Sequence, residues 1–230
     1  NIDFVCQKGQ KIAVIGSTGS GKSTLVKLMN RFYDVSRGSI EINGVDIRKY
    51  NLESLRTQIG YVAQKAHMFK GSIRSNICFG KPEASVEEMV HAATVAQASN
   101  FISTREHGYE DEIAEDGTNI SGGQKQRLSI ARVILKKPSL YIYDDSFSAL
   151  DFKTDATLRK ALKPEVKNAI FFVVAQRIST IMDSDMIIVL DEGQIIGMGT
   201  HAQLLKDCSV YQEIAHSQLT QKELDDYERN

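Results

Sequence analysis

The chain has no tryptophan, only three prolines and three cysteines in 230 residues, and no excess of either charge. Its 28 Lys and Arg stand against 29 Asp and Glu, a formal net charge of −1. Each scarcity excludes something. Near-neutrality gives no global attraction to nucleic acid, which is therefore not expected as a partner. Cys6, Cys78 and Cys208 are odd in number, scattered and without metal-ligand spacing. They read as free thiols in a reducing compartment, packed as small apolar residues, and not as a disulfide framework. The longest apolar runs, Ala169 to Ala175 and Met186 to Leu190, are far shorter than the roughly 20 residues that cross a bilayer. No basic-then-apolar leader opens the chain. It begins at Asn1 in a strand-like stretch, as expected of a piece of a longer polypeptide. No internal repeat or low-complexity tract is visible. The length suits one substantial core, or a core with a subdomain.

What is present is a phosphate-binding pattern. Gly16-Ser17-Thr18-Gly19-Ser20-Gly21-Lys22-Ser23 fits G-x-x-x-x-G-K-[ST]. It follows the apolar run Ile12 to Ile15 and precedes Thr24 to Met29, which reads as a helix. Strand, glycine loop and helix is the context in which this pattern becomes a site. The loop glycines let successive N–H groups of Ser17 to Thr24 turn inward around phosphate oxygens, and a helix N-terminus favours an anion there. Lys22 is expected to reach the β- and γ-phosphates, with the Ser23 hydroxyl on Mg²⁺. The spacing does not fit G-x-G-x-x-G, so a nicotinamide cofactor is disfavoured.

The rest of the chain predicts an α/β fold: a P-loop core with a mostly parallel sheet, an antiparallel β subdomain and an inserted helical subdomain. Ile12 to Ile15 does not alternate, as expected of a strand covered on both faces. Ser39 to Ile47 does alternate, and Asn43-Gly44 is a strong hairpin turn. Ile59 to Ala63 reads as a strand ending at Gln64. Ser72 to Leu135 turns helical, with helical apolar spacing over Val86 to Ala93. Strand-like runs return at Leu140 to Tyr143, Ala169 to Val174 and Met186 to Leu190, with a helix over Thr154 to Leu162 between the first two. Asp191 to Gln194 reads as a hairpin turn. Residues 1–64 and 136–220 are assigned to the core and 65–135 to the helical subdomain, with a polar tail over 221–230.

Two more motifs join the loop. Leu140 to Asp144 is an apolar strand ending in a carboxylate, able to orient Mg²⁺ beside the glycines. Ile120-Ser121-Gly122-Gly123-Gln124 opens a helical stretch with Ser121 placed as N-cap. Each glycine at a helix start costs about 1 kcal/mol against Ala. Close backbone approach to an anion would account for the pair.

Over nearly all its length the chain resembles the nucleotide-binding domain of an ATP-binding cassette (ABC) transporter. Gly16 to Ser23 matches Walker A, Gln64 the Q-loop, Ile120 to Gln124 the signature, Asp144 the end of Walker B, and Ser148-Ala149-Leu150-Asp151 the D-loop. The resemblance implies ATP with Mg²⁺ held by Ser23, Gln64 and Asp144. It also implies head-to-tail packing of two cassettes, in which Ser121 to Gln124 serve the partner's nucleotide in trans. Phe69 to Gly80 and Glu115-Asp116-Gly117 look most like exporters, where such segments face the coupling helices of a transmembrane domain. The chain is thus expected at the cytoplasmic face of a membrane. The family's adenine-stacking aromatic is expected upstream of residue 1.

Two departures stand out. The family usually carries glutamate after the Walker B aspartate and histidine in the switch loop; here the catalytic positions hold Asp145 and Gln176. Aspartate withdraws the carboxylate by one methylene, and a misplacement of about an ångström can cost about a hundredfold in rate. Glutamine donates a hydrogen bond but neither carries charge nor shuttles a proton. With its signature nearly intact, the chain looks like the degenerate half of a heterodimeric exporter, paired with a non-identical cassette that keeps the Glu and His. A homodimer with two slow sites, a nucleotide switch and a non-transport ABC ATPase are the rivals.

Overall fold

A computed structural model of the chain describes residues 2–219; the polar tail expected over 221–230 lies outside them. In chain order the elements are β1 (Lys11–Ile15), α1 (Lys22–Met29), β2 (Glu41–Ile42), β3 (Val45–Asp46), α2 (Leu52–Gln58), β4 (Ile59–Val62) and β5 (Gly71–Ser72). Then come α3 (Ile73–Ile77), α4 (Val86–Val95), α5 (Ser99–Ser103), β6 (Glu112–Ile113), α6 (Gly122–Lys136), β7 (Leu140–Asp144) and α7 (Phe152–Val166). The chain closes with β8 (Ile170–Val174), α8 (Ile178–Ile181), β9 (Met186–Asp191), β10 (Gln194–Gly199), α9 (His201–Asp207) and α10 (Ser209–Gln218).

Six strands form the central sheet in the order β10-β9-β1-β8-β7-β4, all parallel except the edge strand β10. β1 lies between β8 and β9, with Ile12 opposite Phe172 on one side and Met186 on the other. Successive β1 side chains point to opposite faces. Ala13 and Ile15 enter a core with Leu128, Ile134 and Val173, whereas Ile12 and Val14 enter a second core with Val26, Leu55 and Phe172. Both faces are covered, which is why the run lacks alternation. Five loops therefore leave the same, carboxyl edge of parallel strands: those after β1, β4, β7, β8 and β9.

The expected hairpin forms at Asn43-Gly44, with φ of 53° and 74°, as a two-residue turn with both central residues left-handed requires. It is shorter than the alternation suggested. Asp46 accepts from the Arg48 amide at 2.8 Å and turns Ile47–Lys49 into 3-10 helix. The strand-like opening is also corrected: residues 2–10 contain no strand. Gly9 (φ 87°) turns the chain there, and its amide bonds to Ala169 O at 2.9 Å, so pairing starts only at Lys11. Between β4 and β7 the chain is mostly helical, but it also pairs β5 with β6, Gly71 opposite Ile113. Two-residue strands so far apart in sequence leave no periodic trace. Among the described residues no helix is long and apolar enough to cross a membrane.

Candidate functional site

The loop after β1 is braced before any ligand is considered. A Cβ on Gly16 would stand 2.0 Å from Leu190 O at the end of β9, so this first glycine is required by close packing inside the sheet. The amide of Gly193, in the β9–β10 turn, donates to Ser20 O at 3.0 Å. Gly19 and Gly21 have φ of 85° and 103°, a region that side chains with a Cβ rarely adopt. Gly21 is the N-cap of α1 and supplies no side-chain cap, so the first amides of that helix are left for another acceptor. Ser17, Thr18, Gly19, Ser23 and Thr24 are exposed on this cradle and Ser20 is buried. Lys22 folds back across it, donating to Gly16 O at 2.8 Å, Ser17 O at 2.7 Å and the Ser20 hydroxyl at 3.3 Å. Burial lowers the Lys22 pKa, against the opposing pull of Asp145 and Asp144. A cation beside uncapped helix-start amides has the chemistry that suits an anion.

The carboxylates arrive from β7. Asp144 is buried, and the Tyr61 hydroxyl, projecting from β4, donates to its Oδ2 at 3.4 Å. Burial raises the Asp144 pKa, with the Asp145 charge adding to the rise; burial and Asp144 push Tyr61 up to about 12. Asp145 has left the strand, with φ of 48°, a left-handed conformation that Asp tolerates better than most residues. Its amide donates to Val174 O at 2.9 Å. Its Oδ2 accepts from Gln64 Nε2 at 3.0 Å and from Gln176 Nε2 at 2.7 Å. Burial raises the Asp145 pKa, and these amides, with Ser148, work against the rise. The two residues that depart from the family's usual pair therefore touch each other. Gln64, which the sequence pointed to as a nucleotide-site and metal ligand, joins them.

Ser23, Gln64 and Asp144 offer a hydroxyl, an amide oxygen and a carboxylate at one sheet edge. This all-oxygen set fits a hard cation such as Mg²⁺. Gln64 Nε2 serves Asp145, which turns the amide oxygen to the other side of the carboxamide.

The signature stretch lies at the start of α6. The Ser121 hydroxyl accepts from the Gln124 amide at 3.2 Å, and Gln124 Oε1 accepts from the Ser121 amide at 3.0 Å. To the N-cap expected at Ser121 the structure adds this reciprocal capping box, which offsets part of the glycine cost. The glycines divide their reasons. A Cβ on Gly123 would meet Ala149 O of the D-loop stretch at 3.3 Å, while one on Gly122 meets nothing within 4 Å. Gly123 is thus explained by packing inside the chain, and only Gly122 faces open space. Among the described residues, no hydrogen bond joins Ser121 or Gln124 to the loop Gly16–Ser23. Asp151 caps α7 through the Thr154 amide at 3.0 Å.

Sequence reasoning missed Tyr61, whose place opposite Asp144 depends on β4 pairing with β7, Tyr61 facing Ile142. It also missed Gln218 of α10, which donates to Gln176 O at 2.8 Å and accepts from the Ile178 amide at 2.9 Å. No local pattern marks either residue. His201 is the first residue of α9, and its ring nitrogen lies 2.7 Å from the Tyr211 hydroxyl in the core, a structural role. Cys78 and Cys208 are buried and Cys6 is partly so, all three as free thiols.

A glycine loop, a helix N-terminus and a strand-end carboxylate at the carboxyl edge of a parallel sheet define a P-loop nucleotide-binding domain. The pattern of the ABC transporter family matches residues 1–148, and the chain belongs to that family. A putative multidrug export ATP-binding/permease protein of Bacillus subtilis is 45% identical over 93% of this chain and 37% of its own length. A fatty acid ABC transporter ATP-binding/permease protein of Mycobacterium bovis is 39% identical over 94% of this chain and 34% of its own. The solved structure of a bacterial Atm1-family ABC exporter with ATP bound superposes with a TM-score of 0.89 and 38% identity, over 91% of this chain and 37% of that one. The chain thus spans less than two-fifths of the length of these relatives.

Proposed function

We propose that this chain is the ATP-binding cassette of an exporter and that its own Walker side binds MgATP but hydrolyses it slowly. One observation carries the second half: a single carboxylate oxygen of Asp145 accepts from both Gln64 and Gln176. In the reading proposed, Ser17 to Thr24 cradle the phosphates with their amides, and Lys22 turns from the loop carbonyls to the phosphate oxygens. Mg²⁺, held by Ser23, Gln64 and Asp144, would neutralise charge on the β- and γ-oxygens. Asp145 would have to polarise the attacking water with a short side chain already engaged by two donors. Gln176 orients that carboxylate but cannot take a proton. Phosphoryl transfer depends on positioning and charge stabilisation, so these features strike the rate and spare the affinity.

The signature side supports a different task. Ser121 and Gly122 are exposed at a capped helix start, and with the amide of Gly123 behind them they suit a phosphate bound by a second cassette in head-to-tail packing. A non-identical partner with Glu and His at the equivalents of positions 145 and 176 would make the competent site. Export relatives that join this domain to a permease suggest attachment to a transmembrane domain at the cytoplasmic face of a membrane.

Calorimetry with MgATP tests the site. Lys22→Ala removes a charge-assisted contact worth about 1.5–3 kcal/mol, so the Kd should rise by roughly 10- to 100-fold; binding equal to the parent's would refute the assignment. Turnover tests the slow side. Asp145→Glu with Gln176→His should raise kcat well beyond either single change, because such residues act as a unit. A parent whose rate the double variant does not exceed would refute the slow-site reading.

A further inference from the structure

The switch segment between β8 and α8 is held from two sides. On one side the Ala175 amide donates to Val14 O at 3.1 Å, tying the end of β8 to β1. On the other, α10 supplies Gln218. Its Nε2 donates to Gln176 O at 2.8 Å and its Oε1 accepts from the Ile178 amide at 2.9 Å. One carboxamide thus brackets Arg177, and its two bonds fix the peptide groups on either side.

The bracket has a local reason. α8 is only four residues long, and its N-cap, Arg177, offers no side-chain cap. A helix start without a cap leaves amides to be satisfied elsewhere, and Gln218 does this across the tertiary fold. Hydrophobic burial does not explain the contact, because Gln218, Gln176 and Arg177 are all exposed while Tyr211 and Ala215 anchor α10 in the core. What the bracket fixes is direction. With its carbonyl held by Gln218, Gln176 sends its own carboxamide onto Asp145 Oδ2 at 2.7 Å, where Gln64 also donates at 3.0 Å. Gln218, Gln176, Asp145 and Gln64 form one chain of hydrogen bonds from the last described helix to the loop after β4.

We propose that Gln218 is a positioning residue of the nucleotide site, fixing the switch segment so that Gln176 holds the Asp145 carboxylate in place. The inference rests on the nucleotide reading above and adds that α10 controls the geometry of the water side without touching nucleotide. Loss of a helix cap of ordinary strength shifts a local equilibrium by about fivefold, and that sets the scale of the test.

The protein at its full natural length is compared with Gln218→Ala and Gln218→Glu, the latter keeping the acceptor for Ile178 but not the donor for Gln176. In the nucleotide-free state, Gln218→Ala should speed amide hydrogen exchange over residues 176–180 about fivefold, and Gln218→Glu should restore part of the protection. MgATP affinity and KM should stay within twofold of the parent, while the kcat of the chain's own site rises by about fivefold as the carboxylate is released from Gln176. The rise in kcat should vanish when Gln218→Ala is made in an Asp145→Ala background, an outcome that a general loss of stability does not give. Unchanged exchange over 176–180, a lowered kcat, or an equal kcat change with and without Asp145, overturns the proposal. A parent that binds no MgATP refutes the nucleotide reading and this inference together; a parent that binds, with Gln218→Ala unchanged in exchange and kcat, refutes this inference alone.

Discussion

Replacing Asp145 and Gln176 by alanine, singly and together, measures the contact on which the slow-site reading depends. Asp145 is 8% exposed, and its Oδ2 accepts from Gln176 at 2.7 Å and from Gln64 at 3.0 Å. A hydrogen bond to a charged group contributes about 1.5–3 kcal/mol. Here two donors share one oxygen, and both glutamines are exposed and rehydrate when their partner is removed. The lower end therefore applies, and the coupling between positions 145 and 176 should be about 1–1.5 kcal/mol. Asp145→Ala alone should cost less than two bonds, because it also removes a carboxylate whose pKa burial has raised. Urea unfolding of the four proteins at neutral pH gives the coupling directly, provided the denaturant slopes agree. A coupling below about 0.5 kcal/mol, the ordinary error of additivity, would mean that Gln176 does not hold the carboxylate, and the slow-site reading would lose its structural support.

Two other substitutions separate fold from function. A Cβ at Gly122 meets nothing within 4 Å, so Gly122→Asp should leave the melting temperature of the chain nearly unchanged. In the head-to-tail pairing proposed above it should nevertheless abolish most ATP turnover, since it would set a negative charge against a phosphate bound by the second cassette; Asp145→Ala should reduce turnover less. The reverse order of the two would show that this chain hydrolyses its own ATP. Gly60→Ala acts on the fold alone: its Cβ would stand 2.5 Å from Val133 Cγ1 and 2.6 Å from Pro138 Cγ. Overpacking of this kind costs about 1–3 kcal/mol, and at roughly 2–4 °C per kcal/mol calorimetry should record a clearly lower midpoint. An unchanged midpoint would contradict the packing of α6 on β4.

Local chemistry was legible wherever a few neighbouring residues decide it. Gly16 to Ser23 announced strand, loop and helix because backbone turning and phosphate contact need those residue types at that spacing. Asn43-Gly44 announced its hairpin because both residues take positive φ, and the unbroken apolar runs announced a sheet covered on both faces. Asp144 at a strand end, Ser121 before its helix and the substitutions at Asp145 and Gln176 were likewise visible one residue at a time. Tertiary structure decided which of these side chains meet. The order β4-β7-β8-β1 brings Gln64, Asp145 and Gln176 to one edge, and no spacing along the chain encodes that convergence. The same holds for Tyr61 opposite Asp144, for the β5–β6 pair and for Gln218 reaching back to the switch segment. Hydrophobic pattern and turn chemistry act over a few residues and so can be read locally, whereas a hydrogen bond between loops exists only once the sheet has set the distance between them.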